Sequence, residues 1–172
     1  MKYLPLILSA MVIGGCASSV QQSYLNGSDA YLAGNYALAK QELQECASAK
    51  FRQCNYILGR MAYDQNETQK AIQHFKKDAE LGHKESQAFL ALSIYASYLD
   101  YQSKNQTPPK EIDLSDAISW IWVAKKQGFN DSENLFSTLN VALAQERDIA
   151  PDAVPSLMLE KLKSYEELYI PH

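Results

Sequence analysis

An all-α fold, an α-solenoid of antiparallel helix pairs closed by a C-terminal capping helix, is predicted by three features of the sequence. The first is internal repetition. At an offset of 32, Gly27 falls on Gly59, Ala30 on Ala62, Tyr31 on Tyr63, Ala39 on Ala71, Leu43 on Phe75 and Ala47 on Ala79. The same step carries Leu58, Gly59, Ala62 and Tyr63 onto Leu90, Ala91, Ile94 and Tyr95. The second is spacing within each copy: small residues recur where two helices would touch, with larger apolar residues three or four positions away, as one buried helical face requires. The third is the period itself, since two helices per unit of this length are what stacked helix pairs produce.

Helices are expected at 21–33, 37–49, 53–63, 68–81, 85–99, 114–127, 132–145 and 156–169. Gly82 and Gly128 stand where left-handed C-caps would end two of them, and Pro151 and Pro155 break the chain before the last. Beyond Leu99 the period lengthens to 46, because Ala71 and Gly82 reappear as Ala117 and Gly128. The 14 additional residues are assigned to a surface insert loop at 100–113, where Pro108 and Pro109 lie in a polar run.

The repeats carry a resemblance. Gly27, Gly34, Tyr36 and Ala39 resemble a tetratricopeptide repeat. Ala71, Phe75, Ala79, Gly82 and His83, followed by Gln87 and Leu90, resemble the Sel-like branch of that superfamily. Ala117, Trp120, Ala124 and Gly128 repeat the pattern, with Trp120 where that branch often places an aromatic. The likeness covers about residues 24–139 and implies stacked helix pairs.

The first fifteen residues read as an export signal: Lys2, an apolar run from Leu4 to Ile13, then Gly14 and Gly15 before Cys16. The run is too short to span a bilayer, which needs roughly twenty residues. Ile13, Gly14, Gly15 and Cys16 resemble the lipobox of bacterial lipoproteins. That resemblance implies acylation of Cys16, which becomes the first residue of a protein held to the membrane by lipid. The alternative is an ordinary secreted protein in which Cys16 is incidental. Ala17 and Ser18 follow, without the acidic residue that signals inner-membrane retention in that family, so an outer-membrane, periplasm-facing anchor is expected. The organisation is then a signal peptide at 1–15, a lipidated terminus and short tether at 16–23, and a helical repeat domain of three to four helix pairs at 24–172.

With residues 1–15 removed, 15 basic and 20 acidic side chains remain, a formal charge of −5. No basic stripe accompanies it, so nucleic acid is not an expected partner. Cys46 and Cys54 remain once Cys16 is assigned to lipid, and an even pair in an exported domain points to a disulfide. Reading them instead as metal ligands would require two more ligands nearby, and the three histidines are scattered. The cysteine spacing, with Leu58, Gly59 and Met61, also resembles the cysteine-rich Sel-like proteins, which bridge each repeat this way. Here Asp78 and Ser86 occupy the equivalent places in the next repeat, so that family's penicillin binding transfers poorly.

No zincin helix, nucleophile elbow, phosphate-cradling loop or Ser-x-x-Lys motif is present, and no catalytic residue or cofactor is assigned. His74 reads as a packing residue, His83 as a partner of a helix C-terminal dipole, and His172 as a mobile last residue. Trp122 stands where the earlier repeats carry Gln44 and Lys76 on a water-facing position. Either the 100–113 loop or the last helix, with Leu159, Leu162 and Tyr165, covers it, or it is a partner contact. The function expected is a non-enzymatic, membrane-tethered scaffold for an envelope protein or cell-wall component. The alternative is a β-lactam or peptidoglycan-fragment binder with weak hydrolase activity.

Overall fold

A computed structural model describes the backbone of residues 11–51 and 53–170 and the side chains of 19–51 and 53–170. Residues 1–10, the side chains of the rest of the expected signal peptide and that of Cys16 lie outside the described residues. The protein is all-helical: α1 Met11–Leu32, α2 Tyr36–Ser48, α3 Cys54–Asp64, α4 Thr68–Ala79, α5 Lys84–Ser103, α6 Leu114–Lys126, α7 Ser132–Arg147, a 3-10 turn Pro151–Ala153, and α8 Val154–Tyr169. Helix α1 begins upstream of the expected position 21, so the stretch 16–23 assigned to a tether is helical. Where one repeat domain was expected, the chain divides into two compact units, Met1–Leu58 and Gly59–His172.

In the first unit α1 packs on α2. Ala39, Leu43 and Cys46, at spacings of four and three, are fully buried. Gly27 allows the approach, because a Cβ there would lie 2.6 Å from Leu43 Cγ. Asn35 caps α2, its Oδ1 accepting from the Leu38 amide at 3.3 Å.

In the second unit α5 packs against α4 and α6, and α6 also against α7 and α8. Phe75, Leu90, Leu114, Ile118, Ile121, Leu139 and Leu143 form its core. Gly59 is the second close approach, since a Cβ there would stand 2.6 Å from the Phe75 ring. Phe75 is wholly buried and cannot retreat. Gly59→Ala is therefore expected to destabilise by roughly 1 to 3 kcal/mol, overpacking outweighing the about 1 kcal/mol that alanine gains in a helix. A urea titration checks the sign.

Seven successive helices stop alike. Gly34, Lys50, Asn66, Gly82, Asn105, Gly128 and Asp148 all have positive φ, from 52° to 83°. The amide after each closes on the carbonyl five residues back, as in Glu67 to Ala62 at 2.8 Å, His83 to Asp78 at 3.1 Å and Phe129 to Ala124 at 3.0 Å. From Gly34 to Gly82 the stops come every 16 residues, half of the 32-residue repeat. From Gly82 to Asn105 and from Asn105 to Gly128 the step is 23. The 14 additional residues are thus divided, seven before Asn105 and seven after, rather than gathered into a loop at 100–113. Residues 100–103 belong to α5, whose extra turn carries the Asp100–Lys104 ion pair at 2.7 Å. The prolines that forbid helix lie only at 108 and 109, so nothing stops α5 sooner. Pro155 likewise does not precede the last helix; it sits in the first turn of α8, where a missing amide hydrogen costs nothing.

Candidate functional site

The site in the second unit is built by α6 and α8 lying side by side. Lys161, Tyr165 and Tyr169 recur every four residues along one face of α8 and meet Asp113, Asp116 and Trp120 of α6 and its cap. Lys161 Nζ lies 2.6 Å from Asp116 Oδ1 and 3.9 Å from Asp113 Oδ2, and donates to Ser115 Oγ at 2.6 Å. Tyr165 donates its hydroxyl to Asp116 Oδ1 at 3.1 Å. Trp120, 4% exposed, meets Tyr165 edge-on with centroids 5.0 Å apart and Tyr169 at 4.6 Å. The partners advance together along both helices, so α8 runs parallel to α6.

Gln87 locks the far end of this pair. Its side chain, wholly buried, donates from Nε2 to the Ala79 carbonyl at 3.2 Å and the Tyr169 carbonyl at 3.4 Å. Its Oε1 accepts from Gln127 Nε2 at 2.8 Å. One amide thereby ties the C-terminal ends of α4, α6 and α8, satisfying carbonyls that helix ends leave open.

Between α4 and this pair lies a groove of about 580 Å³. Ile72, Leu90, Ile94 and Trp120 form its floor, and Tyr165 and Tyr169 one wall. Gln69, Gln73 and Lys76 of α4, Glu80 at its C-terminal cap, and Lys110 and Glu111 of the α5–α6 loop also line it. Comparison with protein-family models, curated proteins and solved structures finds no match.

Burial pushes the Tyr165 phenol well up, with the Asp116 carboxylate adding to it. Burial likewise raises Tyr169, next to Glu80 and Asp116, and Tyr98, next to Glu146. An unfolded tyrosine ionises near 10 while these stay protonated, so the unfolded chain loses protons first and stability falls as pH climbs above that value. The slope is expected to reach at most about 1.4 kcal/mol per pH unit for each tyrosine, less for the half-buried Tyr165 and Tyr169 than for the buried Tyr98. Denaturant titrations between pH 8 and 11.5 should show the fall, and Tyr165→Phe should flatten it.

Trp122, expected on a water-facing position, is held by its own chain. Its Nε1 donates to Glu166 of α8, its ring stacks 5.4 Å from Phe136 of α7, and Lys126 lies 4.6 Å above it. Of the residues expected to cover it, Tyr165 packs on Trp120 instead. His83 serves a different helix end from the one expected: Nδ1 accepts from the Ser86 amide at 3.3 Å, capping the N-terminus of α5, and Nε2 lies 3.2 Å from Glu85. His74 is half-buried on α4, and His172 lies outside the described residues.

Cys46 and Cys54 stand at disulfide distance with Cα atoms 6.0 Å apart, both wholly buried. Between them Lys50 and Gln53 hold positive φ, a turn that the cross-link would secure. Among the described residues no group of three His, Cys, Asp or Glu is placed to hold a metal. Replacing both cysteines by alanine is expected to cost the first unit roughly 2 to 3 kcal/mol, and reductant should produce a similar loss in the native chain. Unchanged denaturant midpoints in both experiments would contradict the cross-link.

Ser115 beside Lys161 is a hydroxyl–amine pair that the sequence did not suggest. The ammonium is shared with two carboxylates, so it donates to the hydroxyl and orients it rather than taking its proton. The arrangement is suited to holding a surface in place.

Proposed function

We propose that this protein is a membrane-tethered lipoprotein of the bacterial cell envelope whose helical repeats act as a scaffold for another envelope protein. The groove between α4 and α8 carries this reading: its aromatic wall is braced from behind by α6, while Gln69, Gln73, Lys110 and Glu111 face it exposed and without a hydrogen-bond or ion-pair partner among the described residues. Rigid aromatics beside unused polar groups are what a protein interface presents before its partner arrives. The lipobox-like Ile13–Cys16 supports the anchor, with Ala17 favouring the outer membrane. No helix among the described residues is long and apolar enough to cross a membrane.

A photoreactive side chain at position 73 should crosslink to a discrete envelope protein in intact cells. Absence of any adduct there, together with measurable turnover of a cell-wall substrate, would argue for an enzyme instead. For the anchor, an alkynyl fatty acid should label the wild-type protein, and Cys16→Ser should abolish the label and move the protein out of the membrane fraction. Retention of label in that variant would overturn the lipoprotein reading.

A further inference from the structure

The connection from α3 to α4 reads Asp64, Gln65, Asn66, Glu67, Thr68. Asparagine followed two residues later by threonine or serine, with no proline between, is the acceptor sequence for an N-linked glycan in an exported protein. The chain holds four such triplets, beginning at Asn26, Asn66, Asn105 and Asn130. A triplet is short enough to arise by chance, so its surroundings decide.

Transfer of a glycan requires the asparagine amide and the hydroxyl two residues later to be reachable and uncommitted, because the transferring enzyme has to hold both. Asn26 lies inside α1 with its Oδ1 accepting from Gln22 Nε2 at 2.8 Å, and the Ser28 hydroxyl donates to the Tyr24 carbonyl at 2.8 Å. Ser132 is buried and donates to the Phe129 carbonyl at 2.6 Å, which removes the triplet at Asn130. Asn66 and Asn105 remain. Both are exposed and stand at helix stops with φ of 60° and 53°. Neither they nor Thr68 and Thr107 make a side-chain hydrogen bond among the described residues.

Two differences separate these two. Thr107 precedes Pro108, which restricts the threonine backbone, whereas Thr68 opens α4. Asp64 stands two residues before Asn66, where Asn105 has Ser103. An exposed carboxylate at that place gives an enzyme a charge-assisted anchor, bidentate to an arginine, beside the group to be modified. The turn is also fixed for presentation, by the Asn66 amide on the Tyr63 carbonyl at 3.0 Å and the Glu67 amide on the Ala62 carbonyl at 2.8 Å.

Resting on the exported-lipoprotein reading, we propose that Asn66 is an N-glycosylation site, with Asp64 and Thr68 as the groups by which the transferase holds it. The donor is an oligosaccharide carried on a polyprenyl diphosphate. Asn66 Nδ2 attacks the anomeric carbon of the first sugar and the N–C bond forms. The bond from that carbon to the diphosphate oxygen breaks, the lipid diphosphate leaves with the electron pair, and a carboxylate of the transferase takes one Nδ2 proton.

The test is mass spectrometry of tryptic peptides from the full mature chain, purified from the envelope of the cells that make it. Peptide Met61–Lys70, in which Asn66 is the one asparagine, should carry the added mass of an oligosaccharide. Asn66→Gly, which tolerates the positive φ, and Thr68→Val, which leaves the asparagine in place, should each abolish it. Asp64→Asn should lower occupancy at least about tenfold, the equivalent of one charge-assisted hydrogen bond. All three variants should keep the wild-type circular dichroism. An unmodified Met61–Lys70 peptide from the wild-type chain overturns the proposal, as does a glycan that persists in Thr68→Val, full occupancy in Asp64→Asn, or a glycan found only on peptide Asn105–Lys110. Fatty-acid labelling of Cys16 in the same cells separates the two readings. Label without glycan removes this site and leaves the lipoprotein reading standing; absence of both removes both.

Discussion

Trp120→Ala is expected to destabilise the second unit by about 3 to 5 kcal/mol, the usual cost of deleting a buried tryptophan. The indole is 4% exposed and touches both aromatic rings of α8. Its loss opens a cavity and also removes the surface on which Tyr165 and Tyr169 rest. Helix α8 buries only Val154, Met158 and Leu162 among its sixteen residues, so its C-terminal half depends on those rings. Two readouts are therefore expected: a melting temperature lower by about 10 °C or more, and faster hydrogen exchange in α8 than in α5. Trp120→Phe should recover most of both. A melting temperature within about 2 °C of wild type would show that α8 is held mainly by its polar contacts.

Gln87→Leu comes next in size. Leucine matches the volume closely, so the change reads the polar contacts rather than a cavity. The Gln127 amide loses its acceptor, and the Ala79 and Tyr169 carbonyls lose a common donor. With buried groups left unmade costing about 1 to 3 kcal/mol each, a total of roughly 2 to 4 kcal/mol is expected. Gln87→Glu should fare no better, since it cannot donate to the two carbonyls when ionised. If leucine proves neutral, water reaches these helix ends. Unfolding by urea, followed by far-ultraviolet circular dichroism, distinguishes the outcomes.

The two substitutions bear on what was legible beforehand. Helix positions follow from periodicity because a buried helical face imposes a local rule: α2 to α7 all start within one residue of the expected positions. The ends were read less completely. Gly82 and Gly128 announce left-handed stops by residue type, whereas Lys50, Asn66, Asn105 and Asp148 adopt the same backbone without that mark. The regular 16-residue step that links them was present in the numbering but hidden by the identity of the residues. For the same reason the prolines point to one loop for all 14 extra residues, whereas half of them lengthen α5.

The groove was less legible still. Tyr165 and Tyr169 lie more than 80 residues from Gln69 and Gln73, and no periodicity relates α8 to the repeats. A four-residue recurrence of Lys161, Tyr165 and Tyr169 marks a patterned face, yet nothing local says that it seats on Asp116 and Trp120 rather than on Trp122. Gln87, a polar residue within the apolar stretch of α5, was a hint of a buried tie without naming its partners.

The sequence by itself determined that the chain is helical, where α2 to α7 start, and which small residues, Gly27 and Gly59, let neighbours approach. These follow from contacts one turn apart or one repeat apart, which a periodic pattern records. Only the tertiary structure decided that α8 runs along α6, that Trp122 is satisfied by Glu166 and Phe136, and that a groove with unused amides opens beside α4. Those outcomes depend on side chains brought together across long loops, where packing and hydrogen-bond satisfaction choose among many pairings that the order of residues leaves equal.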